Sequence, residues 1–98
     1  HFFMDTGNQI QDIVRNQLNS GNPEATSIHY KRLKEARYSD AECINMIGMC
    51  IVTEMHNLLL SRQPFDLQRY SRMLSKLPAE PVSVYDNLTY SEIIKQRR

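Results

Sequence analysis

Apolar residues recur every three or four positions along most of the chain, which is the pattern of amphipathic helices. A first helix is predicted from residue 5 or 6 to residue 19, and a second over residues 23–36. Asn22 is the expected N-cap of the second helix, because asparagine caps well and proline suits the first helical position. The inner face of this second helix is expected to hold Ala25, Ile28, His29, Arg32, Leu33 and Ala36.

The third helix is predicted to be the central one. Ser39 and Glu42 have the spacing of a capping box, and Pro64 ends the helix near residue 62. At 100° per residue, its core face is expected to hold Ile44, Ile47, Gly48, Ile51, Met55 and Leu58, widened by Val52 and Leu59.

A fourth helix is predicted to begin after Asp66, an N-cap residue, and to end before Pro78. The chain after it is expected to be a linker and tail over residues 79–98, with a short helix around 91–96. The fold class is therefore all-α: a compact antiparallel bundle of four helices over residues 4–78, with a C-terminal tail that can hold a short fifth helix. Residues 1–3 resemble the remnant of an expression tag before Met4.

Composition places few limits on function. The chain has 98 residues, 41% hydrophobic and 23% charged, with net charge +1, so it shows no global attraction to nucleic acid or anionic lipid. The longest unbroken apolar run is four residues, which argues against a membrane partner. Cys43 and Cys50 lie seven apart on one helix, about 10 Å between Cα atoms, too far for a disulfide. Free thiols favour a cytoplasmic location.

Sequence motifs for chemistry are missing. His29 and His56 lie on different predicted helices and have no ligand spacing around them, so no metal or cofactor is predicted. No glycine-rich phosphate loop or nucleophile motif is present. An enzyme would have to use Glu54 with His56 or His29 as its acid–base groups, which makes catalysis the third hypothesis.

Glu54 lies at the edge of the predicted core face, where a carboxylate needs a partner. Arg32, in the middle of the second helix's inner face, is the predicted partner. The hypothesis is a partly buried Arg32–Glu54 ion pair that fixes how the two helices dock. The alternative is that both side chains extend past the helix edge to water.

A second apolar stripe on the third helix predicts an interaction surface. Met46, Met49 and Leu60 lie away from the predicted core, interleaved with Thr53 and His56. Methionine is common at adaptable interfaces, so a homodimer or a partner protein is one interpretation. The other is that the tail or another helix of the same chain covers the stripe.

Basic residues give a weaker alternative. Lys31, Lys34 and Arg37 cluster on and after the second helix, and Lys95, Arg97 and Arg98 end the chain. A nucleic-acid-binding accessory protein could use such a local patch. Such clusters are more often a solvated helix face, and the near-neutral net charge supports that interpretation.

The middle of the chain, about residues 22–78, resembles a module found in small bacterial proteins of unknown function. The matching residues are Asn22-Pro23-Glu24, Tyr30-Lys31-Arg32-Leu33, Tyr38-Ser39-Asp40-Ala41-Glu42, Glu54-Met55, Pro64-Phe65-Asp66, Arg69-Tyr70 and Leu77-Pro78. The resemblance implies an all-helical bacterial module and carries over no site residue. In that module the turn before Tyr38 usually holds glycine, whereas this chain has Arg37.

Taken together, these patterns favour a bacterial, cytoplasmic helical module that binds a partner protein or a second copy through Met46, Met49 and Leu60. Nucleic-acid binding is the alternative.

Overall fold

The computed structural model describes the backbone of residues 6–96 and the side chains of residues 9–96. Over these residues the protein is all-α, and the short C-terminal helix is present. The helices are α1 (Thr6–Ser20), α2 (Glu24–Glu35), α3 (Asp40–Ser61), α4 (Leu67–Lys76) and α5 (Tyr90–Gln96). The predicted all-α class, with four main helices and a short fifth, is thereby confirmed. The predicted tag remnant and Met4 lie outside the described residues.

The described part of the chain falls into two compact units, one up to residue 48 and one from residue 49 onward, so the boundary lies within α3. In the first unit, α1 and α2 contact each other. Their contact includes a hydrogen bond of 2.7 Å that Thr26 Oγ1 donates to Gln17 Oε1. Thr26 and Leu33, seven residues apart, define the buried face of α2. Ile28 points about 200° away from Thr26 and is 53% exposed, so its predicted place on the inner face was wrong.

Asp40, at the first turn of α3, joins three elements of the first unit. Its Oδ1 accepts a 2.6 Å hydrogen bond from the Tyr30 hydroxyl, and its Oδ2 lies 2.9 Å from Arg15 Nη2. These hydrogen bonds, Tyr30's first, hold the pKa of Asp40 below its usual value. Gly48 lies farther along α3. A Cβ atom at this position would meet Ile10 Cγ2 of α1 at 2.8 Å, so α1 and α3 approach each other closely at Gly48.

Capping residues set most of the helix starts as predicted. The Ser39 N–H donates to Glu42 Oε1 at 2.8 Å and the Glu42 N–H donates to Ser39 Oγ at 3.1 Å, which is the predicted capping box. Asp66 caps α4 by accepting from the Arg69 N–H. The predicted Asn22 cap was wrong: Pro23 occupies the N-cap position of α2, without a side-chain cap bond.

The start of α5 uses a capping box that the sequence analysis missed. The Thr89 N–H donates to Glu92 Oε1 at 2.8 Å, and the Glu92 N–H donates to Thr89 Oγ1 at 3.4 Å. Thr89 and Glu92 have the same T/S-x-x-E spacing as Ser39 and Glu42. This second box explains why so short a helix begins at a defined residue.

In the second unit, α3 buries polar residues and exposes apolar ones. Thr53, Glu54 and Asn57 are fully buried. Met55 is 45% exposed and Leu59 is 71% exposed, so their predicted places on the core face were wrong. The core of this unit is completed by Cys50, Ile51, Tyr70, Met73, Leu74, Leu77 and Ile93.

By length and composition alone, α3 could cross a membrane. Polar residues interrupt its apolar runs, so the helix as a whole is more apolar than the length of its longest run indicates. Half of its most apolar 18-residue window is buried inside the structure, as in the core helix of a folded domain. A single helix of this length and composition is weak evidence for a membrane span, because the core helices of folded domains can have the same properties.

The turn after α2 gives a first testable prediction. Arg37 has φ +78°, the left-handed conformation that favours glycine, and the Tyr38 N–H donates to the Leu33 carbonyl across it. The left-handed conformation costs a non-glycine residue about 1–2 kcal/mol, and glycine loses about 0.5–1 kcal/mol of chain entropy on folding. Arg37→Gly should therefore stabilise the protein by about 0.5–1 kcal/mol in urea unfolding.

Lys34→Gly is the matched control, because Lys34 is helical and exposed. It should destabilise the protein by about 1 kcal/mol. A lower urea midpoint for Arg37→Gly than for the wild type would contradict the left-handed turn.

Candidate functional site

The most distinctive feature of the second unit is a buried ion pair between α3 and α4. Arg69 Nε lies 2.8 Å from Glu54 Oε1, and Arg69 Nη2 lies 2.8 Å from Glu54 Oε2. Glu54 is fully buried and Arg69 is only 6% exposed. The two parallel hydrogen bonds make a bidentate pair, the strongest geometry available to these side chains.

Further donors complete the environment of the Glu54 carboxylate. The Asp66 backbone N–H donates to Oε2 at 3.0 Å, and Asn57 Nδ2 lies 3.5 Å from Oε1. A buried carboxylate with this many partners is satisfied as an anion. In return, its hydrogen bonds raise the pKa of the Arg69 guanidinium.

Arg69 also holds the segment that follows α4. Its Nη1 donates to the Tyr85 hydroxyl at 3.1 Å, and its guanidinium carbon lies 5.1 Å from the centre of the Tyr85 ring. Nη1 is 3.6 Å from Asp66 Oδ2 as well. One guanidinium thus joins α3, the start of α4 and the C-terminal segment.

Two more contacts attach the C-terminal segment to α3. The Ser83 hydroxyl donates to Asn57 Oδ1, and both side chains are fully buried. His56 Nε2 lies 3.1 Å from Asp86 Oδ2 near the surface. Residues predicted as linker and tail therefore pack within the second unit.

The position of Glu54 on α3 indicated that it needs a cation, and Arg69 of the same unit supplies it. Arg32, the predicted partner, belongs to the first unit. Arg32 instead donates from Nε to His29 Nδ1 at 3.1 Å. Burial and the neighbouring Arg32 charge lower the pKa of His29, which suits its role as an acceptor.

The predicted interface stripe is only partly available. Met46 and Thr53 are buried, and Thr53 Oγ1 donates to the Met49 carbonyl at 2.8 Å. Met49 and His56 are half-buried, and Leu60 is exposed. Since His56 contacts Asp86 of the C-terminal segment, these positions favour the interpretation that the chain itself covers much of the stripe.

The predicted basic patch is exposed. Lys31, Lys34 and Arg37 all reach solvent at the surface of α2 and its following turn. Lys95 is exposed too. Arg97 and Arg98, the rest of the predicted basic tail, lie outside the described residues.

The described residues offer little for catalysis or metal binding. Among them, no three His, Cys, Asp or Glu side chains group as a metal site would require. Both cysteines are free and buried, and burial raises the pKa of the Cys50 thiol to about 12, so it stays protonated at neutral pH. Glu54, the predicted acid–base group, is committed to Arg69.

A cleft of about 360 Å³ opens beside the ion pair at the start of α4. Phe65, Leu67 and Tyr85 form its apolar lining, and each is about half exposed. Asp66 and Arg69 line it as well. A cleft of this size lies at the small end of ligand sites, roughly 300–1,000 Å³.

Arg69 was missed although the sequence carried a signal for it. Positions 66, 69, 70, 73, 74 and 77 follow one helical stripe, and only the first two hold charged residues. A charged side chain within an apolar stripe indicates a buried partner. The contacts of Asn57 and Tyr85 had no comparable signal, because they join residues far apart in the chain.

Comparison of the chain with protein-family models, curated proteins and solved structures found no match. The resemblance to the bacterial helical module therefore stays a prediction.

The ion pair should dominate the stability of the second unit. Glu54→Ala leaves Arg69 without its partner, and should lower the free energy of unfolding by about 3 kcal/mol, the lower end for a buried pair because Arg69 borders a cleft. Glu35→Ala, an exposed control on α2, should change it by less than about 0.5 kcal/mol.

A double-mutant cycle in urea identifies the partner. Glu54→Ala with Arg69→Ala should lose at least about 1 kcal/mol less than the sum of the single losses, whereas Glu54→Ala with Arg32→Ala should be additive. Additive losses for Glu54 and Arg69 would contradict the pair.

Proposed function

We propose that the protein is a helical interaction module that binds a second copy of itself or a different protein. Its contact surface is formed by the exposed apolar residues of the second unit. We define this as the α3 apolar end, which comprises Met55, Leu59 and Leu60.

One observation carries the proposal. The last turns of α3 place Glu54 and Asn57 in the core and leave Met55 and Leu59 in solvent. Met55 and Leu59 are four residues apart, so their side chains share one helical face. An apolar face on a helix that already has a complete core favours contact with another protein.

The chemistry of the second unit also favours binding over catalysis. The Glu54 carboxylate accepts two hydrogen bonds from Arg69 and one from the Asp66 backbone N–H, which suits a rigid scaffold more than an acid–base site. A rigid scaffold with exposed apolar side chains loses little entropy on binding.

Nucleic-acid binding is the second candidate, since Lys31, Lys34 and Arg37 are exposed together. The two functions differ in their dependence on salt. Phosphate contacts weaken steeply as salt rises, whereas apolar association does not.

Light scattering on a sizing column, over a range of concentrations and at two salt levels, tests the proposal. The wild type should associate at high concentration in both salts. Leu59→Lys should raise the dissociation constant at least about tenfold, because it places a charge in an apolar contact. Ile28→Lys makes the same change at an exposed site on α2 and should have no effect.

Equal weakening by both substitutions would contradict a surface at the α3 apolar end. A monomer at every concentration would exclude the second copy and leave a different protein as the partner. A monomer that binds nucleic acid with a steep salt dependence would favour the second candidate instead.

A further inference from the structure

The charged groups at the cleft at the start of α4 have more negative than positive charge. Arg69 is neutralised by Glu54 through two hydrogen bonds of 2.8 Å. Arg69 also forms an ion pair with Asp66, with 3.6 Å between Nη1 and Oδ2. One cation thus faces two carboxylates, so Glu54, Arg69 and Asp66 together carry a net negative charge. The Asp66 side chain is 44% exposed, so the carboxylate can meet a ligand from solvent.

The Asp66 carboxylate retains capacity to accept hydrogen bonds. Oδ1 accepts the Arg69 backbone N–H at 3.1 Å, and Oδ2 lies 3.6 Å from Arg69 Nη1, beyond ordinary hydrogen-bond length. An ionised carboxylate has about four acceptor positions. Two parallel donors arriving from the cleft would therefore find acceptors there.

Two aromatic rings line the same cleft as this carboxylate. Phe65 packs at a tilt against Tyr70, with ring centres 5.4 Å apart, and is still about half exposed. Tyr85 lies against the Arg69 guanidinium and is also about half exposed. Aromatic faces attract cations, and they do so most strongly where water is partly excluded.

We propose that this cleft binds an arginine side chain presented by a partner protein. The inference rests on the proposed interaction function and names the chemistry of the partner. A carboxylate beside aromatic walls matches the guanidinium group, which is planar, donates two parallel hydrogen bonds and stacks on rings. An acidic or phosphorylated ligand would meet the net negative charge of the Glu54, Arg69 and Asp66 side chains and be repelled.

Two-dimensional amide NMR on the full chain tests the inference with defined probes. A short arginine-containing peptide should shift the resonances of residues 65–69 and 85, with a dissociation constant of about 1 mM for this single contact. The same peptide with citrulline in place of arginine has nearly the same shape without the charge. It should bind at least about threefold more weakly. A peptide with glutamate at that position should not bind.

Matched variants locate the site. Asp66→Asn keeps a good N-cap for α4 but removes the charge, and should weaken arginine-peptide binding about threefold. Glu35→Gln removes an equal charge from exposed α2 and should leave binding unchanged. Phe65→Leu keeps an apolar side chain but removes the ring, and should weaken binding about threefold. Urea unfolding of each variant shows that the fold is retained.

Equal binding of the arginine and citrulline peptides would overturn the inference, as would tighter binding of the glutamate peptide. Asp66→Asn should leave self-association of the peptide-free chain unchanged. Weaker self-association would show that the arginine comes from a second copy and not from a different protein. The Leu59→Lys sizing result is independent of these titrations. A failed titration with a positive sizing result would therefore remove the arginine cleft and leave the interaction function standing.

Discussion

The packing of the second unit depends on the burial of one carboxylate. Glu54 is fully buried, and burying an unpaired anion would cost far more than a small unit can supply. Arg69 must therefore approach from α4 with both of its donors aligned, and the Asp66 N–H must point back at the same group. The orientation of α4 on α3 follows from this one requirement, because a bidentate pair tolerates little rotation.

The remaining donors of Arg69 extend the same constraint to the C-terminal segment. Tyr85 contacts the guanidinium through its hydroxyl and its ring. The Ser83 hydroxyl donates a hydrogen bond to the buried side-chain carbonyl of Asn57. Polar contacts that are satisfied in only one arrangement select that arrangement over apolar alternatives. A segment with few apolar residues can thus be held in a defined place.

This polar interior has a consequence for the surface. A helix has a limited width of buried face, so turning Glu54 and Asn57 inward turns Met55 and Leu59 outward. The exposed apolar face of α3 and the buried ion pair are two results of one helix rotation. The proposed binding surface and the internal scaffold are in this sense the same structural feature.

Local signals in the sequence predicted the helices well. The Ser39–Glu42 box, the Asp66 cap and the apolar spacing depend on neighbouring residues, so they can be recognised without the fold. The inner face of α3 could not be predicted in this way. A hydrophobicity pattern assigns Met55 to the core, and only the distant Arg69 makes it favourable to bury Glu54 in its place. The candidate site was therefore predicted only in part. Glu54 and its need for a partner were predicted, whereas the partner and the cleft beside it were not.

The most direct measurement is the NMR signal of the Arg69 Nε proton in the intact protein near neutral pH. Held between Arg69 and Glu54 inside the unit, this proton should give a distinct resonance that exchanges slowly with water, and Glu54→Gln should shift it strongly. Exchange as rapid as that of the exposed arginine Arg72, with no response to Glu54→Gln, would contradict a buried ion pair as the organising contact of the second unit.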